Sequence, residues 1–269
     1  MSPSVHFLEW VNHEARFGVR FRDAALGHYV SDGLVVSVWH ESRPGLRQRA
    51  QVNHSNVWVV GALPGQRELS PTRPFWVEVQ DTLGRFLPCS FQVELPSQKL
   101  LTLGCLPDTP LSPMRPPEPA IPLFSAPARQ ADSTLAVLRA DLWDTSRDSA
   151  AAWARLDVMN MKGLLLVRGM ADDKGRAALF FNYPNILKDA ALHELSWPLR
   201  LEAYYAPPPK PVPRVPELCA ALNQPRAWFK PDTSSAKAHL ELTLHYGQPL
   251  VVRTQQDPLS RLRLTPANP

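Results

Sequence analysis

Apolar and polar positions alternate along much of this chain, and the alternation is interrupted at short intervals by Gly, Asn, Asp or Pro. That is the period-two signature of half-buried strands separated by turns. Phe17 to Phe21 alternates and predicts a strand, Asp23-Ala24-Ala25-Leu26-Gly27 a turn, and Gly33 to Trp39 a strong, Val-rich strand. Val57 to Val60 follows, ending at the turn signal Leu63-Pro64-Gly65; then come Phe75 to Val79 and Arg85 to Leu95. With a further strand at Val5 to Val11, the count suits a β-sandwich. A second series begins at Thr134 to Trp143. Ala152 to Met159 reads as its next strand, with a helical turn over Asp148 to Leu156 as the competing reading. Leu164 to Arg168, Ala177 to Phe181 and Trp197 to Tyr205 continue it. His239 to Tyr246 and Leu250 to Arg253, around Gly247-Gln248-Pro249, predict a closing hairpin. Residues 185–195 and Val215 to Leu222 are the candidates for short helices, the latter with Pro in its first turn.

One phrase occurs twice. Asp81-Thr82-Leu83-Gly84-Arg85 and Asp172-Asp173-Lys174-Gly175-Arg176 each stand between two apolar runs. Asp can bond its own backbone two residues on, and Gly supplies a positive φ. Asp81, Gly84, Asp172 and Gly175 are therefore read as structural turn residues of two hairpins in two related modules. The expected fold class is all-β: two immunoglobulin- or transthyretin-like β-sandwich modules with few short helices. Residues 1–104 form the first, 105–128 a proline-rich connector, and 129–269 the second, with a proline-rich insertion at 207–231 and a terminal hairpin at 239–254.

Composition sharpens this. Twenty-nine prolines in 269 residues is about twice the usual share, against only 12 glycines. Proline avoids helices and central strands, while eight Trp and ten Phe argue against low-complexity disorder. The net charge of +4 is mild and its basic residues are dispersed, which excludes the basic stripe of a nucleic-acid binder. Cys89, Cys105 and Cys219 are odd in number and widely spaced, and predict neither a disulfide framework nor a Cys-x-x-Cys clip. Met1 to His6 shows no secretory pattern, and no apolar run approaches the ~20 residues of a membrane span. The chain is expected to stay in a reducing cytosol or to leave the cell by a route that needs no signal.

Candidate chemistry is sparse. Histidines 6, 13, 28, 40, 54, 193, 239 and 245 show no ligand spacing; His40 and His54 with a cysteine would be a site assembled from loops. There is no nucleophile elbow and no phosphate-cradling loop. Asp141 with Asp144, and Asp172 with Asp173, sit where acids bond backbone. No catalytic residue, metal ligand or cofactor is assigned. Trp39, Trp58, Trp76, Trp143, Trp153 and Trp197 fall on expected strands and read as core anchors, the alternative being an aromatic platform for sugar. The expected docking residues are Pro116, Pro117, Ile121, Leu123 and Phe124 in the connector, and Pro207, Pro208, Pro209, Pro211 and Pro213 in the second block. Straight proline segments dock at low entropic cost, although an intramolecular strap would read the same way.

Phe21 to Val36, with Asp23-Ala24-Ala25-Leu26-Gly27 before a Val-rich strand, and Asn56 to Gly65, ending Leu-Pro-Gly, resemble carboxypeptidase regulatory-like, transthyretin-like modules over residues 17 to 96. Leu26 stands where that family usually has Thr. Such modules are non-catalytic sandwiches. Across the whole chain, the order of Gly84 to Pro88, Pro122 to Pro127, Val137 to Asp144, Ala152 to Ala154, Arg168 to Arg176, Phe181 to Pro184 and the closing Leu264 to Ala267 is similar to accessory proteins of contractile, phage-tail-like injection particles. That resemblance implies a structural part at the baseplate or spike end, with the other particle subunits as partners, no nucleic acid and no membrane span. It also implies assembly in the cytoplasm and release by lysis. A Gly-rich, His-bearing tip pattern is missing, which sets a membrane-piercing role aside. The alternatives are a carbohydrate-binding sandwich using surface Trp, and a metal-binding spike tip or metal-dependent enzyme.

Overall fold

The computed structural model describes residues 17–61, 71–97, 99–106, 119–131, 134–184, 195–230, 235–255 and 257–267. The expected strand at Val5 to Val11, the Leu63-Pro64-Gly65 turn, the ambiguous segment at 185–194, and Pro116 and Pro117 lie outside them.

Among the described residues, ten strands make the first sandwich: β1 (Phe17–Val19), β2 (Phe21–Asp23), β3 (Tyr29–Val30), β4 (Leu34–His40), β5 (Gln48–Arg49), β6 (Gln51–Val52), β7 (Trp58–Val60), β8 (Arg73–Asp81), β9 (Cys89–Leu95) and β10 (Ile121–Leu123). One layer is the sheet β5-β4-β8-β9; the other is built from β1-β7-β6 and β10-β2-β3. β5 and β6 are one extended run that changes sheet at Ala50, whose N–H donates to the Val36 carbonyl. The alternation read in the sequence is the burial pattern: Leu34, Val36 and Val38 of β4, Phe75, Val77 and Val79 of β8, and Phe91, Val93 and Leu95 of β9 all point inward.

The second sandwich holds β11 (Leu135–Asp144), β12 (Ser149–Ala150), β13 (Arg155–Asn160), β14 (Leu165–Met170), β15 (Arg176–Asn182), β16 (Ser196–Tyr204), helix α1 (Leu218–Leu222), β17 (Trp228–Phe229), β18 (Leu240–His245), β19 (Leu250–Val252) and β20 (Leu262–Thr265). One sheet is β14-β13-β16-β18. The other is organised by β11, which pairs antiparallel with β15 and β12 and parallel with β19 and β20. The described residues are all-β apart from α1, as the sequence pattern implies.

Several expectations change. β18 and β19 are strands but not a hairpin: β18 pairs with β16, and β19 runs parallel to β11 in the opposite sheet. β20 completes the second sheet, a strand the sequence pattern does not announce. The two Asp-x-x-Gly-Arg turns share their local geometry but not their use. At Asp81 the chain returns along its own ladder, β8 on β9. At Asp172 it crosses from β14 in one sheet to β15 in the other. Trp153 lies in the turn before β13 at φ 61°, not on a strand. Pro216 stands just ahead of α1; Glu217 is the N-cap, its carboxylate accepting from the N–H of Cys219 and Ala220. Cys105 and Cys219 form a disulfide, so two of the three cysteines are paired after all. No pattern of spacing could announce a bond between single cysteines 114 positions apart.

The expected connector also differs. Ile121, Leu123 and Phe124 are buried inside the chain rather than offered to a partner. β10 pairs parallel with β2, Ile121 opposite Phe21 and Leu123 opposite Asp23. Its apolar character suits a strand buried on both faces.

Candidate interaction surfaces

The second proline block is an intramolecular strap with an exposed back. It leaves β16 at Tyr205, which is fully buried with its hydroxyl donating to Asp144 Oδ2 at 3.2 Å. The Arg147 guanidinium donates to the Pro208 carbonyl and Trp153 Nε1–H to that of Pro213, each at 3.0 Å. The Pro216 carbonyl accepts from the Ser90 N–H at 2.9 Å and its hydroxyl at 3.1 Å, which seats the strap on the edge of β9. Between these ties, Pro209, Pro211 and Val212 are exposed, while Pro207, Pro208 and Pro213 are half-buried. Each proline leaves one N–H fewer to satisfy, and the Pro208, Pro213 and Pro216 carbonyls are covered by Arg147, Trp153 and Ser90.

α1 then carries the strap into the first core. Leu218, Ala221 and Leu222 pack there, together with Ala152, Trp153 and Met170 of the second sandwich. The disulfide fixes α1 to the segment after β9. Beside it opens a cleft of about 590 Å³, lined among others by Gln92, Glu94, Ser97, Lys99, Thr102 and Cys219. Those side chains offer no nucleophile paired with a base. Cys89, the free cysteine, is buried, and burial together with Glu217 and Glu78 pushes its thiol up to about 12. It is inert as a nucleophile at neutral pH.

A second contact joins the sandwiches. The Asp23–Gly27 turn of the first lays Ala25 and Leu26 on Leu135, Val137, Ala178 and Phe180, the outer face of β11 and β15. Arg129 sits at its centre. Its guanidinium donates to Asp23 Oδ2 at 2.6 Å and to Ser125 Oγ at 2.9 Å, and stacks over Phe86 and Phe180. Both members of this ion pair are nearly closed to solvent. Nothing in sequence spacing singles Arg129 out; it follows from the meeting of two surfaces.

The outer face of β13 and β16 is charged and largely closed. Asp157 and Glu202 are cross-strand neighbours and both are buried. Arg168 grips Asp157 with two bonds of 2.8 Å, and Arg200 and Arg226 hold Glu202. Burial alone would raise the Glu202 pKa, but bonds from Tyr204 and Arg226 and the charges of Arg226 and Arg200 outweigh it and leave it below its ordinary value. Burial lowers the pKa of Arg155, whose guanidinium donates to the Leu222 carbonyl at the end of α1. Each carboxylate is consumed by arginines, which makes this a structural network and not an acid–base pair.

The other candidate residues have ordinary roles. Asp144 accepts from Ser146 N–H at 2.8 Å and from its hydroxyl at 2.6 Å, a backbone-bonding acid. His40 Nδ1 accepts from Ser42 N–H. Among the described residues, no group of three or more His, Cys, Asp or Glu is arranged to hold a metal. Trp58 and Trp153 are buried as core anchors; Trp39 is buried on the other face of β4 beneath the Arg47 guanidinium, outside the core, and Trp228 is exposed. Trp197 is half-buried in a cluster with Tyr183 and Tyr246. Among the described residues, no helix is long and apolar enough to cross a membrane.

No protein-family model matches this chain, and no curated protein matches its sequence. Similar solved structures include the TIE protein of Bacillus anthracis, at 12% identity and a TM-score of 0.28 over 94% of this chain. The chain spans only 34% of that protein's chain. The minor pilin GBS52 of Streptococcus agalactiae is 6% identical, covering 94% of this chain and 97% of the pilin, with a TM-score of 0.26. A putative adhesin from Bacteroides ovatus is 8% identical, over 71% and 72% of the two chains, with a TM-score of 0.24. Likenesses this faint carry no argument about what the chain does.

Proposed function

We propose that this chain is a non-enzymatic structural subunit that works by protein–protein docking, at the baseplate or spike end of a contractile, phage-tail-like particle. The supporting observation is the way its two sandwiches are fastened. A buried Arg129–Asp23 pair, a helix lent by one half to the core of the other, and a disulfide leave little freedom between them. Such a body holds position under load. The exposed Pro209, Pro211 and Val212 then offer neighbouring subunits a pre-straightened docking strip. The order of sequence signatures along the chain supplies the particle itself. Assembly in the cytoplasm followed by release through lysis accommodates the disulfide, which closes once the particle meets an oxidising medium.

The test is sedimentation of a native-host lysate, with each fraction probed for this chain. Co-sedimentation with megadalton, sheath-bearing particles is the expected result. If the particles pellet while the whole of this chain stays at the top of the gradient, the reading fails.

A further inference from the structure

β18 lies at the side of the β14-β13-β16-β18 sheet and is hydrogen-bonded to one neighbour. Its register with β16 runs unbroken from Ser196 opposite His245 to Leu201 opposite Leu240. Tyr246 N–H donates to the Leu195 carbonyl at 3.0 Å, and this fixes the phase of the ladder. In an antiparallel pair, positions that exchange hydrogen bonds alternate with positions that do not. Leu240, Leu242 and Leu244 therefore bond to β16, and the backbone groups of Glu241, Thr243 and His245 point away from the sheet. All three residues are exposed. Among the described residues, no strand pairs with that side; the His245 carbonyl receives a long 3.3 Å bond from Gln248 N–H in the following turn. Natural edges are usually protected by charged side chains, especially Lys, by Pro or by a bulge. β18, reading Leu-Glu-Leu-Thr-Leu-His, has no Lys, Pro or bulge, and Glu241 is its single carboxylate.

This edge is its own complement. When a second copy is laid antiparallel with Thr243 facing the partner's Thr243, the outward backbone groups of the two strands meet. Glu241 then faces the partner's His245, and the symmetric pair repeats at the other end. Thr–Thr pairs are favourable directly across strands, and an imidazole N–H of His245 can donate to the facing Glu241 carboxylate. On the other face, Leu242 meets the partner's Leu244 and Leu240 the partner's Tyr246; Leu240, Leu242 and Tyr246 are each half-buried in the single chain. Sliding the register by two residues in either direction loses both Glu–His pairs, and sliding it by one breaks the hydrogen-bond phase.

We infer that the chain forms a two-fold symmetric dimer by antiparallel pairing of β18 with β18 of a second copy. The two four-stranded sheets become one continuous sheet, with the same patch used on both sides of the interface.

The experiment needs only purified full-length protein. Light scattering across a concentration series is expected to show a monomer–dimer equilibrium. Thr243→Cys treated with a short bismaleimide is expected to be captured as a covalent dimer. Hydrogen-bonded antiparallel pairs hold their Cα atoms about 5.5 Å apart, within the span of such a cross-linker. Leu83→Cys, at an exposed turn of the first sandwich, is the control that should not cross-link. His245→Glu sets carboxylates against each other at both ends and should weaken association at least about tenfold; adding Glu241→Lys should restore it. Melting curves show that each variant is folded. A monomer at every concentration overturns the inference and leaves the edge to a strand from a different protein. Cross-linking of Thr243→Cys no faster than the control, or a dimer indifferent to His245→Glu, overturns it as well. None of these outcomes bears on co-sedimentation with particles.

Discussion

A side-chain oxygen of Asp or Asn recurs as the organiser of this molecule's turns. Asp81 accepts from the N–H of Arg85 at 2.5 Å, and Asp172 from those of Lys174 and Arg176 at 2.9 and 2.8 Å. Asn53 does the same for Ser55 and Val57, Asn160 for Lys162 and Leu164, and Asp257 for Leu259. In every case the residue three positions on has a positive φ: Asn56, Gly84, Gly163, Gly175 and Ser260. Two of the five were legible, because Asp-x-x-Gly-Arg repeats as a string; with Asn in first place or Ser in the left-handed place, the same physics leaves no common word. The repeated Arg is explained too: the Arg176 side chain reaches back to Asp172 at 2.7 Å, and that of Arg85 to Asp81 at 3.2 Å. The two glycines should nevertheless differ. A Cβ on Gly84 meets open space, whereas one on Gly175 lies 2.5 Å from the Leu142 carbonyl oxygen. In urea denaturation, Gly84→Ala is expected to cost about 1 kcal/mol of left-handed strain, and Gly175→Ala about 2–4 kcal/mol once the clash is added. Ser260→Gly, which removes strain, should gain about 0.5–1 kcal/mol. Equal losses at the two glycines would show that the contact beneath Gly175 is immaterial.

At the level of strands and sheets, the sequence predicts strandedness well and partnership poorly. Period-two burial follows the alternation through β8 and β9, and in β4 as far as Val38. The pattern says which face is buried, not which neighbour supplies the hydrogen bonds; hence β18 and β19, close in sequence around a turn, end in opposite sheets. β11 is harder still, since both faces are covered and the alternation is lost from Leu135 to Leu138. The same limit hid the charged face, because Asp157 and Glu202 are distant in sequence and become neighbours only through the register of β13 and β16. Glu202 gives this network a pH dependence. Its folded pKa lies below its ordinary value of 4.5, so its contribution to stability is present above the unfolded pKa and is lost as pH falls through the folded one. Glu202→Gln is expected to cost about 1–2 kcal/mol at pH 7, discounted because Arg200 and Arg226 are partly exposed. Urea midpoints of parent and variant should converge as the pH falls below the folded pKa of Glu202. A gap that stays constant with pH would mean that packing, not charge, sets the loss.

Across the whole molecule, the sequence divides the chain at its proline blocks, but the cores do not. The first core includes Ile121 and Leu123 from one block and Leu218 and Leu222 from the other. The apolar residues inside the proline blocks were visible; that they would be swallowed by the sandwich, not offered outside, depends on distances that no local pattern carries. The Cys105–Cys219 bond closes this arrangement across 114 positions. Cross-links over loops of that size typically contribute about 2–5 kcal/mol. Cys219→Ser, or parent protein in a strong reductant, should therefore melt several degrees lower, with Cys89 unable to substitute because it is buried in the core. An unchanged melting temperature on reduction would remove the disulfide from the account of rigidity.

The helix that one half lends to the other also sets a schedule for biosynthesis. A ribosome makes the chain from its amino end, yet the first sandwich lacks a parallel strand until Leu123 has emerged and a lid over its core until Leu222 has. Contacts this far apart in sequence form slowly, because chain closure comes before any reward. Until Leu222 has emerged, the nascent amino-terminal half waits with part of its hydrophobic interior open, and the two halves mature together once that helix is made.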